Sequence, residues 1–70
     1  MTISEADKRI LDILKKAKKP LSTYQLAKLS KITWPTANSH CYKLKSMGLV
    51  KSRTEKSKHG PKEKVVWWLI

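Results

Sequence analysis

From Ser4 onward apolar residues recur three and four positions apart, with Ala6, Ile10, Ile13, Leu14 and Ala17 on one side of a helix. Ser4 followed by Asp7 resembles a capping box, Lys15, Lys16, Lys18 and Lys19 gather where the helix dipole is negative, and Pro20 closes the segment. The pattern predicts an amphipathic helix over about 4–18. Ser22 with Gln25 three positions later repeats the capping signal, and Tyr24, Leu26, Ala27 and Leu29 supply the apolar face of a short second helix over about 22–30. Ser30, Lys31 and Ile32 then make a turn. Thr33 can cap a third helix over about 33–47, whose first turn tolerates Pro35 and whose stop is Gly48.

At 100° per residue the third helix buries Ala37, His40, Cys41, Leu44 and Met47. Pro35, Ser39, Tyr42, Lys43 and Ser46 point the opposite way, with Thr36 and Asn38 on the flanks, so the outward side is rich in hydrogen-bonding groups and holds no acid. After Gly48 the period changes to two. Residues 49–53 (LVKSR) and 65–70 (VVWWLI) read as two antiparallel strands, joined by a polar stretch with a Gly60 and Pro61 turn signal. That connection is longer than a tight hairpin needs, which gives it a use of its own. Alternation sends Trp67 and Leu69 one way and Val66, Trp68 and Ile70 the other. The fold class is mainly α with a small β-hairpin, an α+β arrangement in a single domain over 1–70.

Charge changes the picture most. Sixteen Lys and Arg face five Asp and Glu, a net charge of +11. Residues 1–14 carry Lys8 and Arg9 against Glu5, Asp7 and Asp12, so the whole excess lies beyond them. Such a surplus repels itself and is best read as a surface made for a polyanion, with nucleic acid ahead of an anionic membrane. The lone Cys41 is a packed thiol and His40 a core-edge histidine; with His59 as the only other histidine there is no metal quartet, so no cofactor is expected. The longest apolar run, VVWWLI, is far short of the roughly 20 residues that span a bilayer, and MTISEAD is no secretory signal, which points to an intracellular protein of the cytoplasm or nucleoid, or of the host nucleus or cytoplasm if viral. Five scattered acids, with neither a Gly-rich phosphate loop nor an activated nucleophile, leave nothing for catalysis to use.

Three helices followed by a two-stranded wing make a winged helix-turn-helix. The segment PLSTYQLAKLSKITWPTANSHCYKLKSMGLVKSR resembles the winged helix-turn-helix DNA-binding proteins, in particular the MarR and ArsR-like transcriptional regulators. The resemblance implies a third helix in the major groove of double-stranded DNA and a hairpin loop on the backbone or minor groove. By position it implies that Thr33, Trp34, Thr36, Asn38, Ser39, Tyr42 and Lys43 face DNA from the helix, and Lys56, Lys58, His59, Lys62 and Lys64 from the wing, with Lys51 and Arg53 adding at its base. The chemistry agrees. Asn38 can pair bidentately with adenine, Thr36 and Ser39 can bond a base edge or phosphate, and Lys43 suits a guanine or a phosphate. The wing lysines would supply counterion release and no sequence information.

Several readings stay open beside this one. Trp34 can stack on a sugar or base, or fold back onto the second helix. Tyr42 is better explained by a phosphate hydrogen bond than by packing. Most related regulators append a dimerising helix, whereas this chain stops at Ile70, and an exposed Val66, Trp68 and Ile70 together favour a homodimer. So small a protein leaves little room for an effector pocket. The alternatives to a sequence-specific regulator are a non-specific architectural DNA binder, a protein-interaction winged helix, and a Z-DNA binder. The last rests on Asn38, Tyr42, Pro61 and Trp67, which are similar to the Asn, Tyr, Pro and Trp of Z-DNA-binding winged-helix domains, although Trp34 stands where those have a lysine.

Overall fold

The computed structural model describes residues 2–56 and 63–70. Its elements run α1 (Glu5–Ala17), β1 (Leu21–Ser22), α2 (Thr23–Ser30), α3 (Trp34–Ser46), β2 (Val50–Lys56) and β3 (Glu63–Leu69). The helices begin just inside the expected spans because the capping residues flank them. Ser4 and Asp7 exchange both bonds of a capping box at 2.9 and 3.2 Å. Ser22 and Gln25 do the same at 2.9 and 3.1 Å. Thr33 is the N-cap residue of α3 but makes no side-chain cap; its hydroxyl donates to the Thr36 hydroxyl at 2.9 Å instead. Gly48 ends α3 as expected, at φ 77°, with its N–H donated to the Lys45 carbonyl at 3.0 Å.

The sheet has three strands in the order β1-β3-β2, all antiparallel. The wing strands reach further than alternation alone indicates, β2 to Lys56 and β3 from Glu63. The third strand is the two-residue β1, whose Leu21 and Ser22 pair with Trp67 and Val66. Ser22 can serve as both cap and strand because its N-cap backbone, φ −73° and ψ 161°, is already extended.

The core joins Ile10 and Leu14 of α1, Leu21, Leu26 of α2, Cys41 and Leu44 of α3, Val50, and Trp67 of β3. Two sequence expectations are corrected here. The buried side of α2 is Thr23, Leu26, Ala27 and Ser30, whereas Tyr24 and Leu29 are exposed. Both hydroxyls are tolerated inside because each is bonded, Ser30 to the Leu26 carbonyl and Thr23 to Trp67. Nor do Val66, Trp68 and Ile70 form an open face: Val66 is buried, Trp68 is partly covered, and of the three only Ile70 is exposed. The apolar patch that favoured a homodimer is therefore not present in that form.

Trp67, with no exposed surface, ties three elements together. Its indole N–H donates to Thr23 Oγ1 at 2.8 Å, and the Tyr42 ring meets it edge-on at a centroid distance of 5.0 Å. Asp7 is equally buried and joins α1 to α3. One carboxylate oxygen lies 2.6 Å from His40 Nδ1; the other accepts from Lys43 Nζ at 2.7 Å and from the Ser4 N–H. Burial alone would raise the Asp7 pKa, but the bonds from Lys43, the Ser4 backbone and His40 hold it well below the usual carboxylate range. Cys41 beside them is pushed up to about 12, by burial first and by the Asp7 charge second, so it stays a packed thiol.

Nothing crowds a Cβ built on Gly48, so its only role is the left-handed backbone. Gly48→Ala should cost about 1 kcal/mol in a urea melt, and Gly48→Asn less. A depressed carboxyl stabilises the fold above its ordinary value of 3.8 and loses that contribution as pH falls. Stability should therefore drop by about 2 kcal/mol through this group between pH 5 and pH 2, and Asp7→Asn should remove that part of the acid slope in melts run across the same range.

Candidate nucleic-acid interface

The side of α3 turned away from the core is built by helical spacing. Thr33, Trp34, Pro35, Thr36, Ser39, Tyr42 and Lys45 are exposed, and Asn38 is half-buried at the margin. Polar and charged groups of the outward face therefore stand together along more than two turns, with no carboxylate among them. Thr36 and Thr33 are linked by their hydroxyl bond, which leaves the first-turn amides of α3 without a side-chain acceptor. Trp34 is 50% exposed and lines, with Thr23 and Tyr24, a cleft between the start of α2 and β3. Tyr42 is 47% exposed while its ring rests edge-on against Trp67, so packing contributes to its direction.

Two further expected contacts change place. Lys43 does not point outward: its ammonium reaches Asp7 and also donates to the Thr2 carbonyl at 2.9 Å. Helical phase puts Lys43 beside the outward face, but its long stem turns toward a buried carboxylate that the wheel cannot see. Arg53 pairs across the sheet with Val66, and so stands on the face opposite Trp67 and α3. There its guanidinium lies 5.9 Å from the Trp68 ring centroid and 3.7 Å from Glu55. Lys51 shares that face.

In the wing, Lys56 and Lys64 are exposed, and each stands directly across from a carboxylate, Glu63 and Glu55 respectively. These four side chains carry no net charge between them, while Lys51 and Arg53 leave the described wing positive. Lys58, His59 and Lys62 lie outside the described residues. Two cations that the sequence reading passed over are exposed near the site. Lys45 follows Asn38 by seven positions and Tyr42 by three, a spacing that shows it on the same side of α3. Lys31 stands in the turn between α2 and α3.

A groove of about 400 Å³ runs between the end of α1 and the outer side of the sheet, lined by Leu14, Lys15, Lys18, Lys19, Pro20, Arg53, Trp68 and Leu69. The expectation that so short a chain has little room for a ligand is not supported. Among the described residues, no group of three or more metal-binding side chains occurs, and no helix is long and apolar enough to cross a membrane.

Comparison with known proteins places this geometry. A solved structure of a zinc-responsive MarR family member, ZitR from Lactococcus lactis, superposes with a TM-score of 0.76 at 23% identity, covering 100% of this chain and 45% of that one. The likeness is one of fold, and the chain spans less than half the length of that protein. No curated protein matches the sequence. The profile of the winged helix-turn-helix DNA-binding family matches residues 3–51, which hold α1, α2, the turn and the whole of α3. The chain belongs to the winged helix-turn-helix DNA-binding family.

Proposed function

We propose that the protein is a transcriptional regulator that binds double-stranded DNA sequence-specifically, with α3 in the major groove and the wing against the backbone or minor groove. The observation that carries this reading is the acid-free outward side of α3. Every described carboxylate is accounted for elsewhere. Asp7 is buried, Glu5 and Asp12 pair with Lys8 and Lys16 on α1, and Glu55 and Glu63 face the wing lysines. A helix that was merely solvated has no reason to lack acids along one side, whereas a helix laid between two phosphate backbones does.

The groups divide by role. Thr36, Asn38 and Ser39 are the short hydrogen-bonding side chains that read base edges, with Asn38 matched to adenine N6 and N7. Thr33, Lys45, Lys56 and Lys64 serve phosphates, as do the uncapped amides at the start of α3. Selection of bound sequences from a random duplex pool should return a defined motif, bound at least about 10³-fold more tightly than random duplex. On the selected site Asn38→Ala should lose about 1–3 kcal/mol and leave affinity for random duplex unchanged. A ratio near unity would instead identify a non-specific architectural binder, and an inverted repeat would report a two-fold dimer.

One observation favours a second reading, shape-selective binding of left-handed DNA. Tyr42 is locked edge-on by Trp67, four residues after Asn38, which makes its phenol a rigid half-exposed surface beside a hydrogen-bonding side chain. Trp67 itself is fully buried and could act there only by holding Tyr42. Circular dichroism of an alternating GC duplex titrated with the protein tests it: spectral inversion supports this reading, and an unchanged right-handed spectrum eliminates it.

A further inference from the structure

Lys43 differs from the other cation on the outer half of α3. Its side chain is 30% exposed, and the ammonium spends two of its three protons on the N-terminal segment, one on Asp7 Oδ2 at 2.7 Å and one on the Thr2 carbonyl at 2.9 Å. Lys45, two residues on, is exposed and has no carboxylate within 4 Å among the described residues. His40 lies one turn before Lys43, and its Nδ1 is 2.6 Å from the other oxygen of the same Asp7. The carboxylate is an acceptor, so the proton of this bond belongs to His40 Nδ1. One buried carboxylate thus grips two consecutive turns of the recognition helix.

That grip is directional in a way that apolar packing is not. Cys41 and Leu44 hold α3 against the core through non-directional apolar contacts. With side chains reaching about 5–6 Å from the axis, a turn of about 20° carries their tips roughly 2 Å, enough to break a hydrogen bond to a base edge. Two bonds of 2.6 and 2.7 Å to one fixed carboxylate suppress that rotation. Ser39 and Thr36, the neighbours of this grip on the outward side, are the residues whose aim depends on it. Transfer of Lys43 from Asp7 to a DNA phosphate would leave a buried charge held by His40 and Ser4 alone, a larger loss than an exposed phosphate contact returns.

The geometry points to Lys43, together with His40, as a positioning residue: it ties the recognition helix to the buried Asp7 of α1, setting the rotation of the DNA-facing surface, and does not itself neutralise a phosphate. This rests on the DNA-binding reading above.

The test compares wild type, Lys43→Met and Lys45→Met on one fixed 20-base-pair duplex across a salt series, with thermal melts of each. Removing a phosphate contact lowers the slope of log K against log salt by about 0.9. Lys45→Met should show that loss at an unchanged melting temperature. Lys43→Met should keep the wild-type slope within about 0.3, lose affinity by the same factor at every salt, and melt roughly 10 °C lower. A slope reduced by about 0.9 in Lys43→Met would overturn the proposal. Lys43→Arg gives an independent reading should Lys43→Met fold poorly. Arginine serves a phosphate as well as lysine does, but it presents a longer planar fork where a compact ammonium bonds both Asp7 and the Thr2 carbonyl. Several-fold weaker binding at unchanged slope is expected, and wild-type affinity in Lys43→Arg would also overturn the assignment. Failure of the wild-type protein to bind any duplex would instead remove the DNA-binding reading itself, before any variant is compared.

Discussion

The Trp67 indole is the contact on which the rest of the arrangement depends. It sits in the central strand, paired on one side with Leu21 and on the other with Ser52, so its backbone closes the sheet. Its side chain then leaves the sheet and fixes two helices, donating to Thr23 at the start of α2 and backing Tyr42 in the middle of α3. A tryptophan suits this place because it supplies a large rigid apolar surface and one hydrogen bond donor, and here both are used. The helix-turn-helix is therefore set on the sheet at two points by one side chain, which is how a chain with a core this small keeps a recognition helix at a defined height above the wing.

Height is not rotation, and the second constraint is electrostatic. Asp7 has left water entirely, a cost met only because its oxygens take bonds from Ser4, His40 and Lys43. A hydrophobic pair at the same place would hold α1 and α3 together as firmly and would specify their relative rotation less. The two constraints divide the work: apolar packing around Trp67 sets the distance between elements, and the buried carboxylate sets their angle.

Much of this was legible in the sequence, and the failures share a cause. The caps at Ser4 and Ser22 and the stop at Gly48 were readable because each is a local device whose partner lies within a few residues. β1 was not, since two residues carry no periodicity and Ser22 was already spent on a cap. The α2 face was misread because Thr23 and Ser30 count as polar in any pattern, although bonds to Trp67 and to the Leu26 carbonyl make them interior residues. The Lys43 contact with Asp7 was not readable for the same reason, its partner being 36 residues away. A trace of that partner did exist: Asp7 precedes Ile10 by three and Leu14 by seven, which puts an acid inside the apolar stripe of α1. An acid in such a stripe calls for a cation elsewhere in the chain, and His40 and Lys43 stand three residues apart on α3.

The same accounting changes what the net charge of +11 means. Lys43 is bound to a carboxylate, Lys8 and Lys16 are paired along α1, and Lys56 and Lys64 stand opposite Glu63 and Glu55. Arg53 and Lys51 are on the face of the sheet turned away from α3, where Arg53 joins Lys15, Lys18 and Lys19 around the groove beside Trp68. A duplex seated on α3 would therefore meet few of the chain's cations directly. Total charge governs the long-range attraction that brings DNA to the protein, which sums over every surface and fades within a Debye length of about 8 Å at physiological salt. On the function proposed above, what would hold the duplex in place is smaller and local: Lys45, Lys31, Lys56, Lys64 and the start of α3, with the short polar side chains of its outward face choosing among sequences.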